Sequence, residues 1–298
     1  MLRLLIADAY PAQSTVNMIN AGGRPSASVI FPSAFTAEHQ QVETTVLAVA
    51  EGERLGHNVA LTDFDGIAIT GSPLGAYEQR PEVARQIEFA RAAFESGVPV
   101  WGSCFGMQVM SAALGGEVRR NPKGNEVGIA RRIRPTAEGQ GHPLFEGKPD
   151  AAFDAITHHQ DEVCRLPEGA TLLATNDMTD VQAIEIERNG CHFWGVQYHP
   201  EYDLAHIALL LSRKSADRLV ADGFARTTEE LRAYADDLAA LGADPNRRDI
   251  AWRYGLGREI FDQSLHSREL RNWLTHVVAA RQAERLASSA PGRRAAAR

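Results

Sequence analysis

Of the three cysteines in this 298-residue chain, Cys104 stands where a thiol could serve as a nucleophile. It is the middle residue of Gly102-Ser-Cys-Phe-Gly106, which follows the apolar run Val98-Pro-Val-Trp101 and opens a helical stretch over residues 105–114. This is the cysteine counterpart of the G-x-S-x-G elbow, in which a strained strand-to-helix turn lifts a nucleophile above the edge of a sheet. Flanking glycines let the neighbouring backbone pass without Cβ clashes. A helix N-terminus beneath the sulfur favours thiolate over thiol, and the Phe105 N–H is placed to stabilise an oxyanion. Cys164 and Cys191 have no such frame and read as buried structural cysteines. An odd set of three without a CxxC pair fits neither a disulfide framework nor a zinc site.

A thiolate nucleophile needs a base, and ten histidines compete. His199 ends the alternating run 191–198 and is followed by Pro200 and Glu201. Proline fixes the backbone after the imidazole, and a carboxylate two residues on can accept from it and set its tautomer. Taken alone, a histidine at a strand end is more often a surface residue. His158 and His159 beside Asp161 raise the question of a metal, but no second cluster completes a ligand set at a recognised spacing. No metal and no cofactor is expected. For His159 and Asp161, a pocket-wall role and a structural hydrogen-bonding role stand level.

These side chains need a scaffold, and the hydrophobic pattern supplies one. Short apolar runs at 2–7, 65–70 and 98–101 alternate with helical stretches at 81–96 and 105–114, which predicts a parallel sheet covered by helices on both faces. In such a sheet ligands bind at the carboxyl ends of the strands, where Cys104 falls. From 126 to 200 shorter alternating segments follow, at 126–133, 151–156, 171–174, 181–187 and 191–198, as hairpins and the returning last strands. Residues 204–219 read as a helix packed back on the sheet, and 227–241, 248–254 and 259–283 as further helices. The expected fold is α/β, a doubly wound, flavodoxin-like, mostly parallel sheet with a C-terminal helical extension.

The cysteine and histidine motifs together resemble those of the class I glutamine amidotransferase family, with the amidase domain of GMP synthases as the nearest pattern. Gly102-Ser-Cys-Phe-Gly-Met-Gln108 is similar to that family's nucleophile motif, and Gly195-Val-Gln-Tyr-His-Pro-Glu201 to its histidine–glutamate motif. Asp63-Phe-Asp-Gly-Ile-Ala-Ile-Thr-Gly-Ser-Pro73 resembles its oxyanion strand and loop. Asn125-Glu-Val-Gly128 and His158-His-Gln-Asp161 resemble segments lining its glutamine pocket. The resemblance covers residues 1–210, best from 60 onward. It implies that Cys104 attacks the side-chain amide of glutamine, that His199 hands the proton to departing ammonia, and that Glu201 orients His199. It further implies an oxyanion hole from the N–H groups of Phe105 and Ser72, with Gly71, Gln108, His159 and Asp161 at the substrate. Ser72 stands where many members have glycine, which a backbone donor tolerates if φ is not positive there.

Three functions remain open on this reading. The first is the glutaminase part of an amidotransferase, passing ammonia to a separate synthetase chain, since no Walker-type loop is present here. The second is a stand-alone hydrolase of γ-glutamyl amides, and the third a non-catalytic binding protein on the same scaffold. A net charge of −7 argues against nucleic acid, and no run nears the ~20 apolar residues of a membrane span. A cytoplasmic protein is expected. The expected units are an amidotransferase domain over 1–212, a helical extension over 213–287, and a disordered tail over 288–298.

Two segments lie outside the motifs. Residues 44–55 read as the second strand and its exit, which makes 22–41 an insertion, a loop or short helix near the cleft mouth. The competing reading takes Val29-Ile-Phe31 as that strand. In the extension, Ile250, Trp252, Leu256, Ile260, Phe261, Leu265, Leu270, Trp273, Leu274 and Val277 are too many large apolar groups for a solvated tail. Leu270, Trp273, Leu274 and Val277 fall on one helix face. They cover the chain's own core or, failing that, a homodimer or synthetase-docking surface.

Overall fold

The computed structural model describes residues 1–38, 41–212 and 216–289. A nine-stranded sheet forms the centre. Its strands are β1 (Leu2–Ala7), β2 (Val42–Leu47), β3 (Gly66–Ile69), β4 (Val100–Ser103), β6 (Glu126–Pro135), β7 (Phe153–His159), β9 (Ala170–Thr175), β10 (Ala183–Arg188) and β11 (Cys191–Val196). The two remaining strands, β5 (Glu117–Arg120) and β8 (Asp161–Arg165), pair by themselves. Spatial order is β2-β1-β3-β4-β11-β10-β9-β6-β7. The first five run parallel and the last four antiparallel to their neighbours. β3 and β4 are buried at every position, as short apolar strands covered on both faces must be.

The helices are α1 (Ala12–Asn20), α2 (Phe31–Glu38), α3 (Pro81–Glu95), α4 (Phe105–Ala113), α5 (Leu204–Leu211), α6 (Ala216–Ala221), α7 (Thr228–Ala243), α8 (Arg248–Tyr254), α9 (Arg258–Phe261), α10 (Gln263–His266), α11 (Arg268–Trp273) and α12 (Ala279–Ser289). α3 starts with proline at its first turn and stops before Gly97 at φ +69°. α3 and α4 cover one face of the sheet through Val83, Ala90, Phe94, Met107 and Met110. The other face is covered by α2 and by α11 with the π-helical turn Leu274–Val278, through Phe31, Phe35, Leu270, Trp273 and Val277. Trp273 packs against Trp101 at 6.1 Å and Phe35 at 5.9 Å between ring centroids. Intrachain packing is thus what the apolar face at 270–277 covers. A third cluster joins α5, α7 and α8 to β6 and β7.

Several local expectations change. The second strand falls at Val42–Leu47, as the reading of 44–55 expects and the strand at 29–31 does not, and 26–38 is a π-turn followed by α2. The expected place at the cleft mouth is not taken up: α2 lies on the sheet face against Trp273, and α1 lines the cleft instead. The single helix expected over 259–283 is broken at Asp262, Ser267 and the π-turn; Asp262 accepts from the Ser264 N–H and caps the second piece. The helix expected over 204–219 is described as α5 and α6, with residues 213–215 outside the described residues. Trp252, counted among the buried groups, is 87% exposed on α8. Cys164, expected to be buried, is exposed, whereas Cys191 is buried. α12 runs past residue 287 to Ser289, and most of the tail at 288–298 lies outside the described residues. No helix among the described residues is long and apolar enough to cross a membrane.

Candidate active site

β4 and α4 meet at Cys104, whose φ of +52° and ψ of −107° lie where L residues are strained. The turn is held from both sides. The Cys104 N–H donates to the Val196 carbonyl of β11 at 2.7 Å, and the first helical bond of α4 runs from the Gln108 N–H to the Cys104 carbonyl. The flanking glycines are required by close approach. A Cβ on Gly102 would sit 2.6 Å from the Gly106 carbonyl carbon, and one on Gly106 would collide with the Ile69 carbonyl of β3. The first N–H groups of α4, that of Phe105 among them, have no intrahelical partner.

β11, hydrogen-bonded to β4, carries the chain into His199 and Glu201. The His199 Nδ1 meets Glu201 Oε1 at 2.7 Å, and the other face of that carboxylate accepts from the Ser103 hydroxyl at 2.9 Å. Ser103 in turn accepts from the Trp101 indole N–H at 2.9 Å. All four side chains are buried. Nδ1 being occupied, Nε2 is left for Cys104, which lines the cavity beside the imidazole and whose Sγ lies 3.9 Å from the His158 carbonyl. Burial opposes a charge on His199, but the Glu201 carboxylate and the neighbouring Cys104 overcome it and raise the imidazole to about 10. A Cβ on Gly71 would touch His199 Cε1 at 3.0 Å, so this glycine lets the loop after β3 close over the imidazole.

The remaining sequence candidates divide. Ser72 lines the cavity beside Cys104; its hydroxyl donates to the Ala9 carbonyl at 2.7 Å, and its φ is not in the left-handed region. The condition for a serine there is met. Gln108 also lines the cavity, but its amide nitrogen is committed to the Asp161 carbonyl and Gln197 Oε1, both at 3.1 Å. Only its carbonyl oxygen can face a ligand. His159 has both ring nitrogens engaged, with Glu126 Oε2 at 2.8 Å and the Asp161 carbonyl at 2.9 Å. Glu126 is itself held by Asn176 and Gln182. His159 therefore braces the wall from behind. Asp161 takes a hydrogen bond from the Tyr77 hydroxyl at 3.1 Å, and burial raises its carboxyl above the usual range. Gly71 does not line the cavity.

The cavity holds about 930 Å³ and reaches from Cys104 to α1, α5 and α6. Among the described residues no group of three or more His, Cys, Asp or Glu side chains is placed to hold a metal. Sequence reasoning missed Ser103, although it stands beside the nucleophile in the quoted motif. It also missed Tyr202, whose ring stacks on His199 at 4.0 Å and 1°, and Tyr10, hydrogen-bonded to Tyr202. For Tyr202 the signal was its position one residue after the His-Pro-Glu run; for Tyr10 there was none. Cys191 is set apart from this chemistry: burial pushes its thiol up to about 12.

Comparison with known proteins gives concordant matches. The model of the family described as glutamine amidotransferase class-I matches residues 33–211. A gamma-glutamyl-L-1-hydroxyisopropylamide hydrolase from a Pseudomonas species is 36% identical over 283 residues, covering 93% of this chain and 93% of that protein. A glutamine-hydrolyzing GMP synthase of Leifsonia xyli is 38% identical over 154 residues, which span 50% of this chain and 29% of that protein. Among solved structures, a glutamine amidotransferase from Thermotoga maritima superposes with a TM-score of 0.64 at 18% identity, covering 93% of this chain and 99% of that one, a likeness of fold.

Proposed function

We propose that this chain, which belongs to the glutamine amidotransferase class-I family, is a hydrolase of γ-glutamyl amides working through a thioester on Cys104. One observation carries the reading: Cys104, His199 and Glu201 are joined at the wall of a cavity far larger than a glutamine amide group needs. The full-length similarity to a γ-glutamyl amide hydrolase supports it, whereas the match to the GMP synthase leaves most of that protein unmatched.

Cys104 Sγ attacks the δ-carbonyl carbon, and the carbonyl oxygen gathers charge toward the N–H groups of Phe105 and Ser72. His199, carrying the thiol proton on Nε2, gives it to the amide nitrogen as the C–N bond breaks and the amine leaves. Water then attacks the thioester carbonyl carbon as His199 takes its proton, and the C–S bond breaks as His199 returns that proton to sulfur. The products are glutamate and the free thiol. Glu201, accepting from Nδ1, fixes the tautomer and stabilises the imidazolium; it takes no proton. Ser103 holds the second oxygen of Glu201, so the carboxylate cannot turn away.

The second reading, a glutaminase feeding ammonia to a separate synthetase, uses the same residues and is favoured by the GMP synthase match. The two separate in one assay, release of ammonia from glutamine against release of amine from N-substituted γ-glutamyl amides. The hydrolase reading expects the higher kcat/KM on the substituted amides. Turnover of glutamine alone would overturn it.

A further inference from the structure

The two halves of the cavity differ in kind. The half around Ser72, Gln108 and Asp161 is polar and carried by the loop after β3, by α4 and by the start of β8, as a glutamyl group requires. The other half is carried by α1 and α5 and presents Met18, Leu209 and Leu210 beside Tyr10 and Tyr202, with Ser14, Asn17 and Asn20 of α1 further along it. In the reaction proposed above, His199 hands its proton to the departing nitrogen. Whatever that nitrogen carries must therefore lie beside the imidazole.

What lies beside it is Tyr202, face to face with His199 at 4.0 Å, and hydrogen-bonded in turn to Tyr10. Two hydroxyls sharing one hydrogen bond leave one O–H hydrogen over, which no other protein atom engages among the described residues. Burial, opposed by the hydrogen bond from Tyr202, pushes the Tyr10 hydroxyl up to about 12, so both hydroxyls keep their protons at neutral pH. The pair thus offers a donor beside the imidazole, on a wall to which Met18, Leu209 and Leu210 add apolar surface. A buried donor left unmatched costs free energy, so such a wall discriminates in favour of a ligand that accepts from it.

We infer that Tyr10 and Tyr202 form the subsite for the leaving amine, and that this subsite takes a small amine with a short apolar chain and a hydroxyl or similar acceptor. The inference rests on the hydrolase reading. Tyr202 also acts as a positioning residue, because its ring fixes the plane of His199. The donor of the pair has nothing to recognise in free ammonia, which carries no substituent.

The test compares γ-glutamyl ethanolamide with γ-glutamyl propylamide, which differ by a hydroxyl in place of a methyl, on the wild type, Tyr10→Phe and Tyr202→Phe. Both variants keep the ring and its packing. The expected result is a wild-type preference for the ethanolamide and a roughly tenfold fall in the kcat/KM ratio of the two substrates in each variant. A purely structural role would lower both substrates together and leave the ratio unchanged, which would overturn the subsite. Wild-type turnover of glutamine but of neither substituted amide would overturn the hydrolase reading and the subsite with it. Turnover of both amides with an unchanged ratio in the variants overturns the subsite alone.

Discussion

Tyr198 and His199 are consecutive residues, yet they enter two unlike polar clusters. His199 joins Glu201, Ser103 and Cys104 at the cavity wall. Tyr198 turns the other way and donates to Glu269 Oε1 of α11 at 2.9 Å. Glu269 Oε2 meets the Lys148 ammonium at 3.1 Å, off the line of a good hydrogen bond, in a fully closed site. Both clusters bear the desolvation cost of buried charge. They differ in what their protons can reach. The first opens on a cavity, so its imidazole can exchange a proton with a bound molecule. The second is sealed between α11 and the sheet and can only hold two parts of the chain in register. The composition of a buried ionic cluster does not distinguish a reactive site from a structural one; access does.

The largest effect that tests this contrast is on rate. Cys104→Ala should lower amide hydrolysis by at least about 10⁴-fold while the melting temperature stays close to wild type, because the side chain is small and borders a cavity. Loss of stability together with activity would make Cys104 a structural residue like Cys191. His199→Ala should cost about 10⁴ to 10⁶ in kcat, and Glu201→Gln one to two orders less, since in the proposed mechanism the glutamate orients the base and carries no proton. A Glu201→Gln variant slower than His199→Ala would reverse those roles.

The first cluster was largely legible in the sequence and the second was not. Cys104, His199 and Glu201 sit in short runs whose spacing reports their own geometry: glycines that a close approach demands, a strand end, a proline. Lys148 and Glu269 are 121 positions apart (269 − 148), in segments with no motif, and only the packing of α11 under the sheet brings them together. The same limit hid Tyr10, whose partner lies at the far end of the domain. The parallel strands were readable from apolar runs of fixed length. The breaks in 259–283 were not, because Asp262 caps a helix there through a local hydrogen bond that helical periodicity does not register.

The sealed cluster should respond in stability. Glu269→Leu leaves Lys148 buried without its counter-charge and the Tyr198 hydroxyl without an acceptor, a loss of about 3–5 kcal/mol by denaturant unfolding. Adding Lys148→Met should recover part of that loss, as coupled partners do. Equal and additive losses would mean that the pair is not a unit.

The two regions should also titrate in opposite directions. His199 has its imidazole raised from 6.5 to about 10, against burial, by Glu201 and Cys104. Its contribution to stability is therefore complete below about 6.5 and is lost as pH climbs toward 10. His266, beside the sealed cluster, is lowered to about 4 by burial and by the Lys148 charge, against Asp203 and Asp262. The unfolded chain then binds a proton that the folded chain refuses, so stability falls as pH drops from 6.5 toward 4. Unfolding free energy measured from pH 4 to 10 should show both limbs. Glu201→Gln should flatten the alkaline limb and His266→Asn the acid one; an unchanged alkaline limb in Glu201→Gln would separate the His199 titration from its carboxylate.

The smallest effect is expected at Trp252, one of two tryptophans of the extension that the sequence treats alike and the structure does not. Trp273 fills the space between Trp101 and Phe35, and Trp273→Ala should cost about 3–5 kcal/mol through the cavity it leaves. Trp252 stands on α8 at 87% exposure, its ring turned away from the Ile250 contact that anchors the helix. Trp252→Ser removes no intrachain packing and should change stability by no more than about 0.5 kcal/mol. The measurement to pair with it is the mass in solution, by light scattering across a dilution series. If this face is free, wild type and variant will run as the same species at the same stability. If a second copy covers it, the variant will dissociate at concentrations where the wild type stays associated, and the wild type's melting temperature will rise with concentration where the variant's does not.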